Sequence, residues 1–205
     1  PSGVVGYDPN YRSSIPYSVK AANLLLDRYH YKLAADGWRT QPNGKPLVIE
    51  MTLSGNNLRS QQQAEFWKKT LDSIKIRMTT KSMPFAEALK LEKQCKTMFK
   101  ASAWIADYPD PENFLDINFH STKSTNHNGY KNEEVDKLLE SARIEQDLNN
   151  RMQMYNNAER IIVDEAPWIP LWFPGDRYVL INQRVKNYKL TPMSVPKYSL
   201  VEIVD

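Results

Sequence analysis

The sequence predicts an α/β fold, on three observations. Segments with helical periodicity alternate with short apolar or alternating runs suited to strands. Recognisable caps and Gly/Pro turn signals separate them. The composition, 41% apolar and 25% charged, is that of a globular chain able to bury a core. A solvated disordered chain is thereby excluded, since it could not offset its ordering entropy.

The first dozen residues, rich in Gly, Pro and Tyr, read as loop. Ser18 is then a plausible N-cap for a helix whose Ala22, Leu25, Leu26 and Tyr29 form one apolar stripe. Asp36-Gly37 and Pro42-Asn43-Gly44 are turn signals around Trp38-Arg39-Thr40, and Leu47–Leu53 is a good strand, so a hairpin is expected. A helix at about 60–74 carries Ala64, Trp67, Leu71 and Ile74 on one face, which makes Trp67 a core residue. Ile76–Thr80 reads as a strand, and Pro84 opens a further helix. Met98–Ile105 reads as a strand running into Asp107–Phe114, where two prolines in three residues force a turn. Two more helices follow, one with Val135, Leu138, Leu139 and Ala142, the other with Leu148, Met152, Tyr155 and Ile162. Asn132 caps the first, with Glu133 and Glu134 favourably placed against the helix dipole. Ile169–Phe173, Tyr178–Ile181 and Leu200–Val204 read as strands.

The 205 residues suffice for one large domain or two small ones. A net charge of +3 with scattered basic residues is no nucleic-acid stripe, so no nucleic-acid partner is expected. The longest apolar stretch, Ala166–Phe173, is far short of the ~20 residues that span a bilayer. The chain opens Pro1-Ser2-Gly3-Val4 without a signal-peptide pattern, so it is expected to be processed or cut from something longer. Cys95, the single cysteine, cannot form an internal disulfide and reads as an incidental surface thiol on a helix.

The catalytic inventory is thin. There is no Gly-x-Ser-x-Gly, no phosphate-cradling glycine loop and no His-Glu-x-x-His. His120 and His127, seven apart in a polar loop, lack the neighbours of a metal site, and no metal or cofactor is expected. Asp107 and Asp110 are the one pair suggestive of acid–base work. Flanked by Pro109 and Pro111, Asp110 reads rather as a turn-forming aspartate bonded to local backbone amides. Asp107 directly follows an apolar strand ending near Trp104, where ligands of open α/β sheets gather and a carboxylate beside an indole can meet a cation.

The string Trp104-Ile-Ala-Asp-Tyr-Pro-Asp-Pro-Glu-Asn-Phe-Leu115 resembles a signature of the family 5 extracellular solute-binding proteins, the oligopeptide- and dipeptide-binding components of ABC importers. Other segments resemble the family in the same order. These are Tyr17–Leu26, Gly37-Trp-Arg39 with Asn43–Leu47, Tyr130–Leu139, and Arg151, Tyr155 and Ala158-Glu159 with Ala166–Leu171. The resemblance implies a periplasmic-binding-protein-like (type II) lobe, a mixed sheet flanked by helices. Positions 1–175 would be the second, C-terminal lobe lacking its first strand and helix, and 176–205 a segment returning to the missing first lobe. It implies a periplasmic or membrane-anchored extracytoplasmic location and an inner-membrane ABC permease as partner.

In the family, the aspartate matching Asp107 pairs with the ligand's α-amino group. The expected ligand-binding set is Trp104, Asp107 and Tyr108, with Arg59 as the candidate for a ligand carboxylate. Dipeptide-binding members place that arginine shortly after the strand matching Leu47–Leu53. Here the stretch reads Ser54-Gly-Asn-Asn-Leu-Arg59, so a helix start with Arg59 in water competes with the clamp. The ligand would be a peptide or another small solute. Two other readings remain: a hydrolase using Asp107 and Asp110 as an acid–base pair, and a peptide-binding chaperone-like module.

Overall fold

A computed structural model describes residues 1–13, 15–123, 125, 127–173, 179–189 and 198–204. They divide into two compact units, residues 15–102 and residues 1–14 with 103–205.

In the unit formed by residues 15–102, β1 (Val48–Ser54) is the centre of a three-stranded sheet between β2 (Arg77–Met83) and β3 (Phe99–Lys100). Both pairings are parallel, with Met51 facing Thr80 on one side and Phe99 on the other. Parallel neighbours need crossover connections, and two helices supply them. They are α2 (Leu58–Ser73) and α3 (Phe85–Lys93). A central strand is covered on both faces and reads as a continuous buried run, here Met51, Thr52 and Leu53. Ala64 of α2 closes on Met51 and Leu53, and Trp67 meets the edge of Phe99 with ring centroids 5.0 Å apart. Trp67, expected in the core, is half-buried and packs against the cluster from outside.

The hairpin around residues 36–53 is a correction. Thr40 and Pro46 form only an isolated antiparallel bridge, as do Leu33 and Arg39, while the strand after them is claimed by the parallel sheet. The expected strand Met98–Ile105 shrinks to β3. The register places Lys100 opposite Thr52, so Ala103 onward lies past the end of β1 and has no ladder to join. The apolar stripe of α1 (Val19–Arg28) is only partly covered: Ala22 and Leu26 are half-buried, Leu25 and Tyr29 exposed.

The polar face of α1 does the anchoring instead. Arg39 is 2% exposed and sends its guanidinium to four acceptors from three parts of the chain. Nε donates to Ile74 O at 3.0 Å, Nη1 to Asp27 at 2.7 Å and to Tyr31 O, and Nη2 to Asn23 at 2.7 Å. A buried charge is tolerable only with its donors satisfied, and here they are.

In the other unit three helices enclose the core. They are α4 (Glu112–Phe119), α5 (Glu133–Ile144) and α6 (Leu148–Glu165). Phe119, Val135, Leu139, Ala142, Tyr155, Ala158 and Ile162 form one cluster, with Met152 and Leu138 packed on it. Both expected helices are present, and the Asn132 side chain accepts from the N–H groups of Glu134 and Val135. Helix α4 begins inside Asp107–Phe114, where a turn is expected. Pro111 at its start, with Leu115 and Phe119 four apart, is the signal that marks it. α6 stops at Ala166, held at φ 50 in front of Pro167.

Ile169–Phe173 is not a strand. It carries no ladder, and Trp168 just before it lies on Phe119 at 4.6 Å. Tyr178 falls outside the described residues, and 179–181 carry no regular structure. Leu200–Val204 is reduced to β5 (Glu202–Ile203), antiparallel to β4 (Val185–Lys186). Among the described residues no helix is long and apolar enough to cross a membrane.

Two substitutions test these anchors by urea unfolding. Arg39→Met strands Asn23 and two carbonyls and should lower stability by roughly 2–4 kcal/mol. Asn132→Ala removes a cap and should cost about 1 kcal/mol.

Candidate functional site

Residues 104–113 turn into α4, and the side chains of Asp110 and Asn113 hold the turn. Pro109 and Pro111 withhold backbone donors on either side of Asp110, so side chains complete the turn. The Asp110 carboxylate accepts from Glu112 N at 2.9 Å, and Asp110 O accepts from Asn113 N at 3.1 Å. This is the turn-forming role expected of it.

The sequence reading did not foresee the other partner of Asp110. Arg151 of α6 reaches it with both ends of its fork, Nη1 to Oδ2 and Nη2 to Oδ1, each at 2.8 Å. A planar guanidinium on a planar carboxylate is the strong, geometrically exclusive form of ion pair. The Arg151 Nε donates to Ala142 O at 3.1 Å, and the guanidinium lies 5.0 Å from the centre of the Tyr155 ring. Partial burial pushes the Asp110 carboxyl up, but the Arg151 hydrogen bonds, the Glu112 N–H and the Arg151 charge together hold it below its ordinary value. Burial pushes the Tyr155 phenol up to about 12, so it remains a neutral donor or acceptor.

Asp107 is treated oppositely. Its backbone N–H donates to Asn113 Oδ1 at 3.0 Å, while its carboxylate is exposed and has no partner among the described residues. Trp104 is half-buried and donates its indole N–H to the same Oδ1 at 3.3 Å. Ala106 between them is buried, and Tyr108 beyond them is 40% exposed. Trp104, Asp107 and Tyr108 thus lie in one segment, and its one carboxylate is unpaired among the described residues.

Arg59 belongs to the other unit. It is exposed in the first turn of α2, whose N-cap is Asn57, so the helix-start reading of that stretch holds. His120 is corrected from polar loop to buried residue: it ends α4, Nδ1 accepts from Thr122 N, and Nε2 sits 3.2 Å from Glu140 Oε1. Cys95 is exposed but lies just beyond α3 at φ 52 rather than on it. No group of three potential metal ligands occurs among the described residues.

Residues 1–126 match the family model of the bacterial extracellular solute-binding proteins, family 5. The chain belongs to that family. It is 28% identical over 162 residues to the dipeptide-binding protein DppE of Bacillus subtilis, covering 79% of this chain and 30% of the relative. It is 28% identical over 206 aligned positions to di/tripeptide-binding protein 2 of Pseudomonas aeruginosa, covering 99% and 37%. The chain therefore spans about a third of the length of the curated relatives it matches.

The Helicobacter pylori periplasmic binding protein DppA, solved with the peptide STSA, superposes over the whole chain. Its TM-score is 0.79 at 27% identity, and 38% of DppA is covered. The oligopeptide-binding protein AppA of Bacillus subtilis matches 98% of this chain and 41% of its own, at TM-score 0.81 and 19% identity, a likeness of fold. The fold of this family 5 chain is the α/β fold of type II periplasmic peptide-binding proteins.

Sequence reasoning missed two residues that build the site, Asn113 and Arg151. Both stand inside the motifs that resemble the family, but only their contacts reveal what they hold.

The depressed pKa of Asp110 has a consequence for stability. In the unfolded chain its carboxyl titrates near 3.8, and in the fold it titrates lower. The pair's contribution is therefore complete above the unfolded value and is lost as pH falls through the folded one. Acid titration of unfolding free energy should show this loss below about pH 4 and a smaller one in Asp110→Asn. At pH 7 that substitution should destabilise by roughly 1.5–3 kcal/mol.

Proposed function

We propose that this chain is part of the substrate-binding component of an ABC-type importer, and that Asp107 takes the free amino terminus of a peptide. The observation that carries the reading is the contrast within the motif. Asp110 is tied to Arg151, whereas the Asp107 carboxylate is exposed and unpaired among the described residues, on a segment whose backbone is held. Such an acceptor suits an ammonium, which on burial with its partner compensates the desolvation of both charges.

Trp104 and Tyr108 then flank the first residue of the ligand. Recognition through the terminus leaves side chains unread, and the ligand backbone can bond as an added strand. In the whole protein, positions 1–175 would supply the second lobe and 176–205 the return to the first. The lobes would close over the ligand, and the closed form would be delivered to a membrane permease from an extracytoplasmic position. Family membership, the dipeptide-binding relatives and the peptide-bound DppA support this reading.

Hydrolysis by the two aspartates has less support. An acid–base pair needs one carboxyl that keeps its proton, and Arg151 holds Asp110 ionised.

The test is calorimetry on the full-length protein with trialanine and N-acetyl-trialanine. Asp107→Asn keeps the shape and removes the charge. It should weaken trialanine binding by roughly 2–5 kcal/mol, the scale for losing one partner of a buried interfacial charge pair. It should barely change the already weak binding of the acetylated peptide. Unaltered trialanine binding by Asp107→Asn refutes the assignment.

A further inference from the structure

Asn113 stands in the first turn of α4, one residue after Glu112, and its side chain is completely buried. Its Oδ1 receives two N–H groups, the Trp104 indole at 3.3 Å and the Asp107 backbone at 3.0 Å. Both can only donate, so the amide has a single possible orientation; turned over, it would set donors against donors. Its Nδ2 is buried and finds no partner among the described residues. An unpaired buried donor is a cost that an apolar side chain of similar volume would not carry. What the amide contributes at this position is its oxygen.

We propose that Asn113 is the positioning residue of the ligand site: a single carboxamide oxygen gathers the Trp104 indole and the Asp107 backbone to one point and so fixes where the Asp107 carboxylate stands. The inference rests on the peptide-amine reading of Asp107. The bridge closes the segment from Trp104 to Asp107 over the buried Ala106. The Arg151 fork fastens the same segment three residues later at Asp110. Between the two fastenings the chain has little freedom, and Asp107 and Tyr108 are presented outward, the Asp107 carboxylate unbonded among the described residues. An acceptor held by its backbone keeps its lone pairs for the ligand and loses little entropy when the ligand arrives. The indole is oriented by the same atom, so the ring and the anion are set relative to each other.

A residue that merely stabilised the fold would, when removed, weaken every ligand alike. A positioning residue acts on one ligand group. The quantity to measure in the full-length protein is therefore the ratio of affinities for trialanine and N-acetyl-trialanine, in the wild type, Asp107→Asn, Asn113→Leu and Asn113→Asp. Asn113→Leu fills the volume and removes the oxygen; the ratio should fall by roughly three- to tenfold, the weight of one or two modest hydrogen bonds. Asn113→Asp keeps an oxygen facing both N–H groups in either protonation state, and should preserve the ratio.

Should Asn113→Leu not fold, the wild type supplies its own measurement. The Asp107 amide should exchange slowly with deuterated solvent despite the exposure of the residue, and the Trp104 indole proton should move downfield relative to an exposed indole. Fast exchange at Asp107 overturns the inference. So does an undiminished ratio in Asn113→Leu when Asp107→Asn has abolished it, and in that case the amine reading stands. A wild type that binds both peptides equally overturns the amine reading, and this inference with it.

Discussion

The bidentate bond between Arg151 and Asp110 is the contact on which the candidate site depends. It joins residues 41 positions apart, the middle of a turn and the side of the longest helix. Its two parallel 2.8 Å hydrogen bonds leave little rotational freedom to either plane. Because α6 is itself fixed in the core by Tyr155, Ala158 and Ile162, the turn inherits that rigidity. The other unit uses the same device. Arg39 is buried, and its donors bind α1, the end of α2 and the chain between them. In both units an arginine replaces the apolar contact that a long loop could not supply, since loop backbone must keep its polar groups satisfied.

The two aspartates of the motif divide the work through their surroundings. Asp110 meets a guanidinium and a backbone N–H and becomes part of the framework. Asp107, three residues earlier, has its backbone held and its carboxylate exposed. Identical side chains thus become a fastener in one place and an exposed carboxylate in the other, and the difference lies in what the fold brings near them.

Much apolar surface stays open on these residues. Leu24, Leu25 and Tyr29 of α1 are more than half exposed, as are Ile169, Trp172 and Phe173.

By itself the sequence determined the α/β class, the family, the existence of α1, α2, α3, α5 and α6 with their caps at Ser18 and Asn132, and the turn at Asp110. Each of these depends on residues within a turn or two of one another, or on an ordered string of motifs. The tertiary structure decided the rest. It left Ala103 onward beyond the end of β1, and it gave β1 parallel neighbours instead of a hairpin partner. It buried His120 and left α1 half uncovered. It chose Arg151 for Asp110 and Asn113 for Asp107 and Trp104. Those choices are meetings between chain segments, and spacing along a sequence carries no record of which distant donor arrives at an acceptor until the packing of helices and strands has placed it there.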